Sequence, residues 1–336
     1  MTLRPSGIVQ AAWAAGALLA AADACAQNPS AGPGQSFPQR PVRLIVPFAP
    51  GGTTDIVARG VAQRLSTLWG QQVVADNRPG GGTLLGAEIV ANAAPDGHTL
   101  LMVGTSTIIN TGTSFAPPSN RIDVERDFSS IILCATGANV VSVRANAPYR
   151  NLQELIAATK AKPTSLTYGT SGVGSSNHFS GELLMLMAGI QLVHVPYKGN
   201  APALTDAVGG QIDMVFAGAA AVQTLVKAGR LRALAIGSKQ RFVLLPDVPT
   251  FDEAGLPGYE MPNFFGFGAP AGTPRTVVAK INRDTETLLK QPEIIQQLLN
   301  DGLTARGGTP EDFVQFIRER KMQLVRLIKA ANIRPQ

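Results

Sequence analysis

The stretch Pro47-Phe48-Ala49-Pro50-Gly51-Gly52-Thr53-Thr54-Asp55 sets two glycines and two threonines between an apolar, β-branched run and a helical pattern. Adjacent glycines let a backbone turn sharply and approach a ligand closely. The first N–H groups of a helix lack internal partners and carry the positive end of its dipole, so an anion is welcome there. The turn lacks the Gly-Lys-Ser/Thr ending of a phosphate-binding loop, so nothing in it serves a triphosphate. A carboxylate is the expected guest. A self-capped helix explains the same residues, because Asp55 in the first turn can itself complement the dipole. The stretch "YGTSGVGSSNHFSGEL", Tyr168 to Leu183, repeats the grammar. A strand ends in Gly169-Thr170-Ser171-Gly172-Val173-Gly174, and Ser175-Ser176-Asn177 opens a helix with no carboxylate before Glu182. Two such turns facing each other across a cleft would form an anion site where open α/β sheets place their ligands.

Other chemistries fit less well. Gly80-Gly81-Gly82 to Gly86 is not a dinucleotide fingerprint, because Leu85 takes the place of the last glycine. Gly169 to Val173 fails the nucleophile-elbow pattern at Val173. Of the histidines His98, His178 and His194, only His178 lies near a serine-rich turn, as a ligand contact or a capping-turn residue. A hydrolase using Ser171 and His178 has no placed acid. No pair has metal-ligand spacing. The expectation is a binding protein with no catalysis, cofactor or metal.

The elements that position these turns can be read in outline. Arg4, the apolar run Ile8 to Ala22 and Ala24-Cys25-Ala26 read as an export signal over residues 1–26, cleaved to leave Gln27 first. A buried helix or a lipoprotein cleaved before Cys25 are the alternatives. Residues 27–36 read as a flexible leader. The mature chain is expected in the periplasm, as a soluble monomer. Its one cysteine, Cys134, cannot form an internal disulfide, so a packed core must hold it, and 45% hydrophobic residues suffice for one. The formal charge of +6 is scattered, with no basic run interleaved with aromatics, so nucleic acid is not an expected partner. Such a field favours anionic small molecules or a membrane surface. β-rich runs alternate with helical patterns: "VRLIVPF", "QVVADN" and "HTLLMVGTS", then after Val140 "SLTYGTSG", "LVHVPYKG", "IDMVFAG" and "LRALAIGS". This spacing predicts an α/β protein of mostly parallel sheets flanked by helices. Gly189, Gly209 and Gly229 are expected helix ends. Tail helices at about 274–290, 292–300 and 310–331 have no strands of their own and must cover another domain. The reading is therefore a discontinuous first lobe, 37–137 plus 264–336, and an inserted second lobe, 138–263. Crossings near Thr136–Val141 and Pro262–Gly268 make a hinge of two strands, as in ligand-closing binding proteins.

At these turns the chain resembles the periplasmic solute-binding receptors of tripartite tricarboxylate transporters, the Bug proteins. "PQRPVRLIVPFAPGGTTDIVAR", "VVADNRPGGGTLLGAEIVANAAPDGHTLLM", "VHVPYKGNAPALTDAVGGQIDMVF" and "LPDVPTFDEAGLPGYE" follow in the family's order across the mature chain. The resemblance implies a two-lobed, hinge-closing periplasmic binding protein fold of type II-like form. Its ligand would be a small organic acid: a di- or tricarboxylate, an acidic amino acid or an aromatic acid. Its partners would be the transporter's membrane subunits; a sensor presenting ligand to a membrane signalling protein is the alternative. The resemblance places Gly51, Gly52, Thr53 and Asp55 in the first turn of the site, and Thr170, Ser171, Gly172, Ser175 and Ser176 in the second. Ser106 and Tyr197 become wall residues, while Lys198 is a ligand contact or points to solvent. Two departures stand out: Phe216 is followed by Ala217 where a polar residue is common, and Phe264-Phe265 stands where a tryptophan is common. Both make the distal pocket less polar and favour an aromatic or medium-length acid over a citrate-like one.

Overall fold

The structure is a computed structural model that describes residues 37–334; the expected signal segment, its cleavage site and the leader lie outside the described residues. Val42–Val46 forms β1, buried at four of five positions, as a strand covered on both faces must be. Helix α1 (Thr53–Trp69) turns Val57, Val61 and Leu65 inward and stops at Gly70 in the left-handed region. Strand β2 (Val73–Asn77), helix α2 (Leu84–Ala91) and strand β3 (Thr99–Gly104) follow, and β1 pairs in parallel with both β2 and β3. The third strand ends two residues earlier than the sequence pattern suggested, because Gly104 caps a short helix α3 (Thr105–Gly112).

Next comes β4 (Phe128–Arg144), then α4 (Leu152–Ala161), which is capped by Asn151 and which the sequence reading left out. The second series is β5 (Thr167–Thr170), α5 (Ser176–Ala188), β6 (Val193–Pro196), α6 (Asn200–Gly209), β7 (Met214–Gly218), α7 (Ala219–Lys227) and β8 (Leu231–Ile236). Here β5 pairs in parallel with β6 and β7. The α6 stop is displaced by one residue: Gly209 is the last helical residue, and Gly210 takes the left-handed turn at φ 75°. Strand β9 (Pro262–Pro270) returns to the first series, followed by α8 (Arg275–Leu289), α9 (Pro292–Asn300), β10 (Leu303–Ala305) and α10 (Pro310–Ala331).

The result is a two-lobed α/β fold of the periplasmic binding protein kind. The long β4 serves both sheets. Up to Ala138 it pairs with β9 and β10, and from Asn139 with β7 and β8. Every antiparallel pairing among the described strands involves β4 or β9, so each parallel series is finished by a strand that also crosses between the series. The tail helices cover the first series, with α8 against β4 and α1 and α10 against β4 and α3. Gly266 in β9 makes room for this: an added Cβ would stand 2.4 Å from the Phe313 ring of α10.

Candidate functional site

Four helices begin at one place. The first turns of α1 (Gly52, Thr53, Thr54), α3 (Gly104, Thr105, Ser106), α5 (Ser176, Asn177) and α6 (Gly199, Asn200) line a single cavity of about 30 Å³. Each follows a strand directly or after a short turn, so all four sit at carboxyl ends of strands. The N-caps of α1 and α6 are glycines with no side-chain cap, which leaves the first N–H groups of those helices to a guest. Phe48, Met102, Phe264 and Phe265 supply an apolar wall, and no acidic or basic side chain lines the cavity. Anything negative there meets neutral donors and four dipole ends. Thr53 Oγ1 and Asn200 Oδ1 are buried without a partner within the chain.

Close contacts cross this cavity. The Ser176 N–H donates to Ser106 Oγ at 3.1 Å, and Asn110 Nδ2 donates both to Ser106 O and to Gly174 O at 2.8 and 2.9 Å. Thr53 packs on Gly218 so closely that a Cβ there would lie 2.4 Å from its hydroxyl. The volume is that of roughly one or two water molecules. Asn177 ties the cavity to the crossing strand. It accepts from Ser171 Oγ at 2.9 Å and donates to Phe216 O at 2.9 Å and to Asn139 Oδ1 of β4 at 3.3 Å.

A second chamber of about 430 Å³ adjoins the first and shares Phe48 and Ser171 with it. Gly172, Ser175 and Tyr197 line this chamber rather than the first cavity. The Tyr197 hydroxyl is already committed, donating to Asp206 at 2.7 Å; burial and that carboxylate push its pKa up to about 12.

Of the residues singled out from sequence, Gly52, Thr53, Ser106, Ser171 and Ser176 meet at the cavity. Five do not. Gly51 faces a separate surface hollow, and its N–H is taken by Asp55 at 3.0 Å. Asp55 is a strut. Its carboxylate also accepts from Arg59 at 2.9 Å and Asn77 at 2.9 Å. Burial would raise the Asp55 carboxyl, but these bonds outweigh it and hold the pKa below the ordinary aspartate value. Thr170 bonds the His194 ring at 2.7 Å beneath the second turn. His178 is buried, stacked on His194 with ring centroids 4.1 Å apart, and accepts the Gly174 N–H at 3.3 Å. It does not pair with Ser171, whose hydroxyl serves Asn177, so no nucleophile–base couple exists there. Ala217 lies in the core, because successive residues of β7 face opposite sides and Phe216 and Ala217 pack into different clusters. Phe264 and Phe265 wall the first cavity, not a distal pocket.

Gly104 and Thr105 beside Ser106 at the start of α3, and Gly199 and Asn200 at the start of α6, were missed. "VGTST" repeats the strand–glycine–hydroxyl grammar of the other two turns, and "KGNAPA" carries a glycine cap with a proline just inside the helix. Both signals were legible.

A two-lobed α/β fold with helix N-termini converging between the lobes is that of a solute-binding protein. The family model described as the tripartite tricarboxylate transporter family receptor matches residues 57–333, and the chain belongs to that family. Among solved structures, "Structure of a periplasmic transporter" is 39% identical, with a TM-score of 0.85 over 89% of this chain and 99% of that one. An R. palustris protein solved with adipate is 34% identical, with a TM-score of 0.86 over 90% and 100%. MatC from Rhodopseudomonas palustris with bound malate is 30% identical, with a TM-score of 0.81 over 87% and 100%. The chain is thus a ligand-binding receptor whose relatives include a periplasmic protein, and no described helix is long and apolar enough to cross a membrane.

Proposed function

We propose that the protein is an extracytoplasmic receptor that captures a small organic carboxylate between its lobes and delivers it to the membrane subunits of a tripartite secondary transporter, without chemistry on the ligand. The lobes are residues 37–137 with 264–336 and residues 138–263, hinged on β4 and β9. One observation carries the reading: four helix N-termini meet at a cavity that holds no charged side chain. A dipole end contributes about 0.3–1 kcal/mol, so four supply roughly 1–4 kcal/mol. Micromolar affinity needs about 8 kcal/mol. Three or four hydrogen bonds to a charged acceptor, at roughly 1.5–3 kcal/mol each, close the gap, and a carboxylate accepts that many. The adipate and malate complexes of the two relatives support the same ligand class. A thermal-shift screen of the mature chain against mono-, di- and tricarboxylates tests it. A ligand at 100 times its Kd should add about 2.7 kcal/mol of stability. No stabilisation by any acid overturns the reading.

A further inference from the structure

Two histidines and a glutamate are packed together beneath the second serine-rich turn, outside the cavity lining. His178 lies in the first turn of α5, its ring stacked on that of His194 with centroids 4.1 Å apart and planes 13° apart. Its Nε2 faces Glu182 Oε1 at 3.4 Å. Glu182 also accepts from the Tyr168 hydroxyl at 2.9 Å, and Tyr168 in turn stacks on His194. Burial works to raise the Glu182 carboxyl, but His178, Tyr168 and His194 outweigh it and hold the pKa below the ordinary glutamate value. The His178 side chain is enclosed, while that of Glu182 is 18% exposed and gives the cluster a route to solvent. Among the described residues, two further ionisable groups approach it. Tyr259 lies near Tyr168 and donates to Ser180 O at 2.8 Å. Arg320 of α10 shares a hollow with Leu183 of α5 and is engaged by Glu260 at 3.5 Å.

His178 Nδ1 has a different partner. It accepts the Gly174 N–H at 3.3 Å, and the Gly174 carbonyl accepts from Asn110 of α3 at 2.9 Å, one of the contacts that cross the cavity. Gly174 is left-handed at φ 73°, and an added Cβ would lie 2.3 Å from Asn110 Oδ1. Ser175 Oγ accepts the His178 N–H at 3.1 Å while the His178 ring reaches back past Ser175. A capping box has this reciprocal form, with Glu or Gln as the side chain that reaches back. Glutamine does not titrate, and glutamate does so only near pH 4; histidine changes charge between about pH 8 and pH 5. An imidazolium carries N–H on both nitrogens. A proton added to His178 therefore sets an Nδ1–H against the Gly174 N–H, and a bond becomes a clash of two donors. Like charges on rings this close oppose each other, so the stacked pair takes one proton, and the Glu182 carboxylate draws it to His178.

We propose that His178 is a positioning residue of the receptor: neutral, with its proton on Nε2, it holds the second turn in its ligand-receiving shape through Gly174, and a proton arriving by way of Glu182 releases that turn. Tight capture is then fully present above the pH at which His178 titrates and is lost as pH falls through it. The effect on binding rests on the receptor reading above; the effect on the turn does not.

NMR of the mature chain labelled with [15N]histidine and [15N]glycine, followed from pH 8 to pH 5, tests the turn without a ligand. Three histidines keep the ring signals assignable. At pH 8 the His178 δ-nitrogen should have the shift of an unprotonated acceptor, and the Gly174 amide should then move with the same midpoint as the His178 ring. A ring that stays neutral to pH 5, one already charged at pH 8, or a Gly174 amide indifferent to its titration overturns the proposal. Calorimetry with adipate over the same range reads the consequence for binding. Asparagine offers an acceptor in the place of Nδ1 and does not titrate, so His178→Asn should match wild type at pH 8. Between pH 8 and pH 5 wild type should lose about tenfold in affinity relative to His178→Asn, the scale of one hydrogen bond. Ionisation of adipate is common to both proteins and cancels. His178→Ala should bind weakly at both pH values. Glu182→Gln leaves the ring and its Gly174 bond in place, and it should move the wild-type loss to lower pH, which keeps the test open if His178→Asn folds poorly. A ratio that is flat with pH, wild-type affinity that rises on acidification relative to His178→Asn, or a Glu182→Gln profile identical to wild type overturns the proposal. Failure of adipate to bind at every pH counts against the receptor reading for this acid and leaves the resonances to decide.

Discussion

Gly51 and Gly52 look alike in sequence, yet they hold different conformations. Gly51 has φ of 84°, while Gly52 is extended at φ −86°, with nothing within 4 Å of an added Cβ. Gly51→Val should therefore lower stability by about 1–2 kcal/mol, the left-handed penalty, as read by urea denaturation. Gly52→Val should fold like wild type but lose carboxylate binding in calorimetry, because the branched side chain stands at the start of α1 where the ligand must approach. Retained binding in Gly52→Val would remove that turn from the site. Asp55 supports a pH prediction. Its pKa is lowered in the folded chain, so its stabilisation is fully present above the ordinary aspartate value of 3.8 and is lost as pH falls through the lower folded value. Asp55→Asn should lose about 1–3 kcal/mol at neutral pH, and the gap to wild type should narrow as pH falls below 3.8. A constant gap across that range would mean the carboxylate charge is not what holds Gly51. Sequence revealed that glycine, threonine and aspartate belong to one turn. It could not reveal that the aspartate turns back to hold the turn while Thr53 faces the cavity, since that depends on Asn77 arriving from β2.

Among the elements, the strand–turn–helix units were legible because each repeats one local grammar. Strands β4 and β9 were seen only as crossings, because their partners lie far off in sequence: Thr136 pairs with Phe264 and Val140 with Ala217. Local periodicity carries no record of such pairings. Strand β7 shows how the packing of elements controls closure. Gly218 ends it at φ −63°, ψ 145°, angles that alanine accepts, yet an added Cβ would lie 2.4 Å from Thr53 Oγ1 at the head of α1. Gly218→Ala should thus leave the strand's backbone intact, the clash with Thr53 being its one cost. It should weaken carboxylate binding about tenfold or more by holding α1 and α7 apart. Normal affinity in that variant would show that Thr53 yields and that this contact does not gate the cleft.

For the whole molecule, a few polar contacts cross the cavity. Asn110 bridges Ser106 O and Gly174 O, and Ser106 receives the first N–H of α5. Asn110→Ala should shift the balance toward the open form by about 1–3 kcal/mol. Small-angle scattering should then give a larger radius of gyration for the free variant than for the free wild type, and saturating ligand should bring the two together. Identical free radii would locate the closing energy elsewhere. The carboxylate cavity has a further consequence for how such a receptor changes over generations. Its donors include main-chain N–H groups, which every residue but proline provides. Substituting side chains around it alters shape but cannot delete those donors. The neighbouring chamber is walled by side chains such as Phe48, Val173 and Tyr197, where each exchange alters size or polarity. Inheritance therefore acts on the two compartments unequally: if the receptor takes the carboxylate proposed above, part of its hold on the charge lies in the backbone, while the shape around it can drift one side chain at a time.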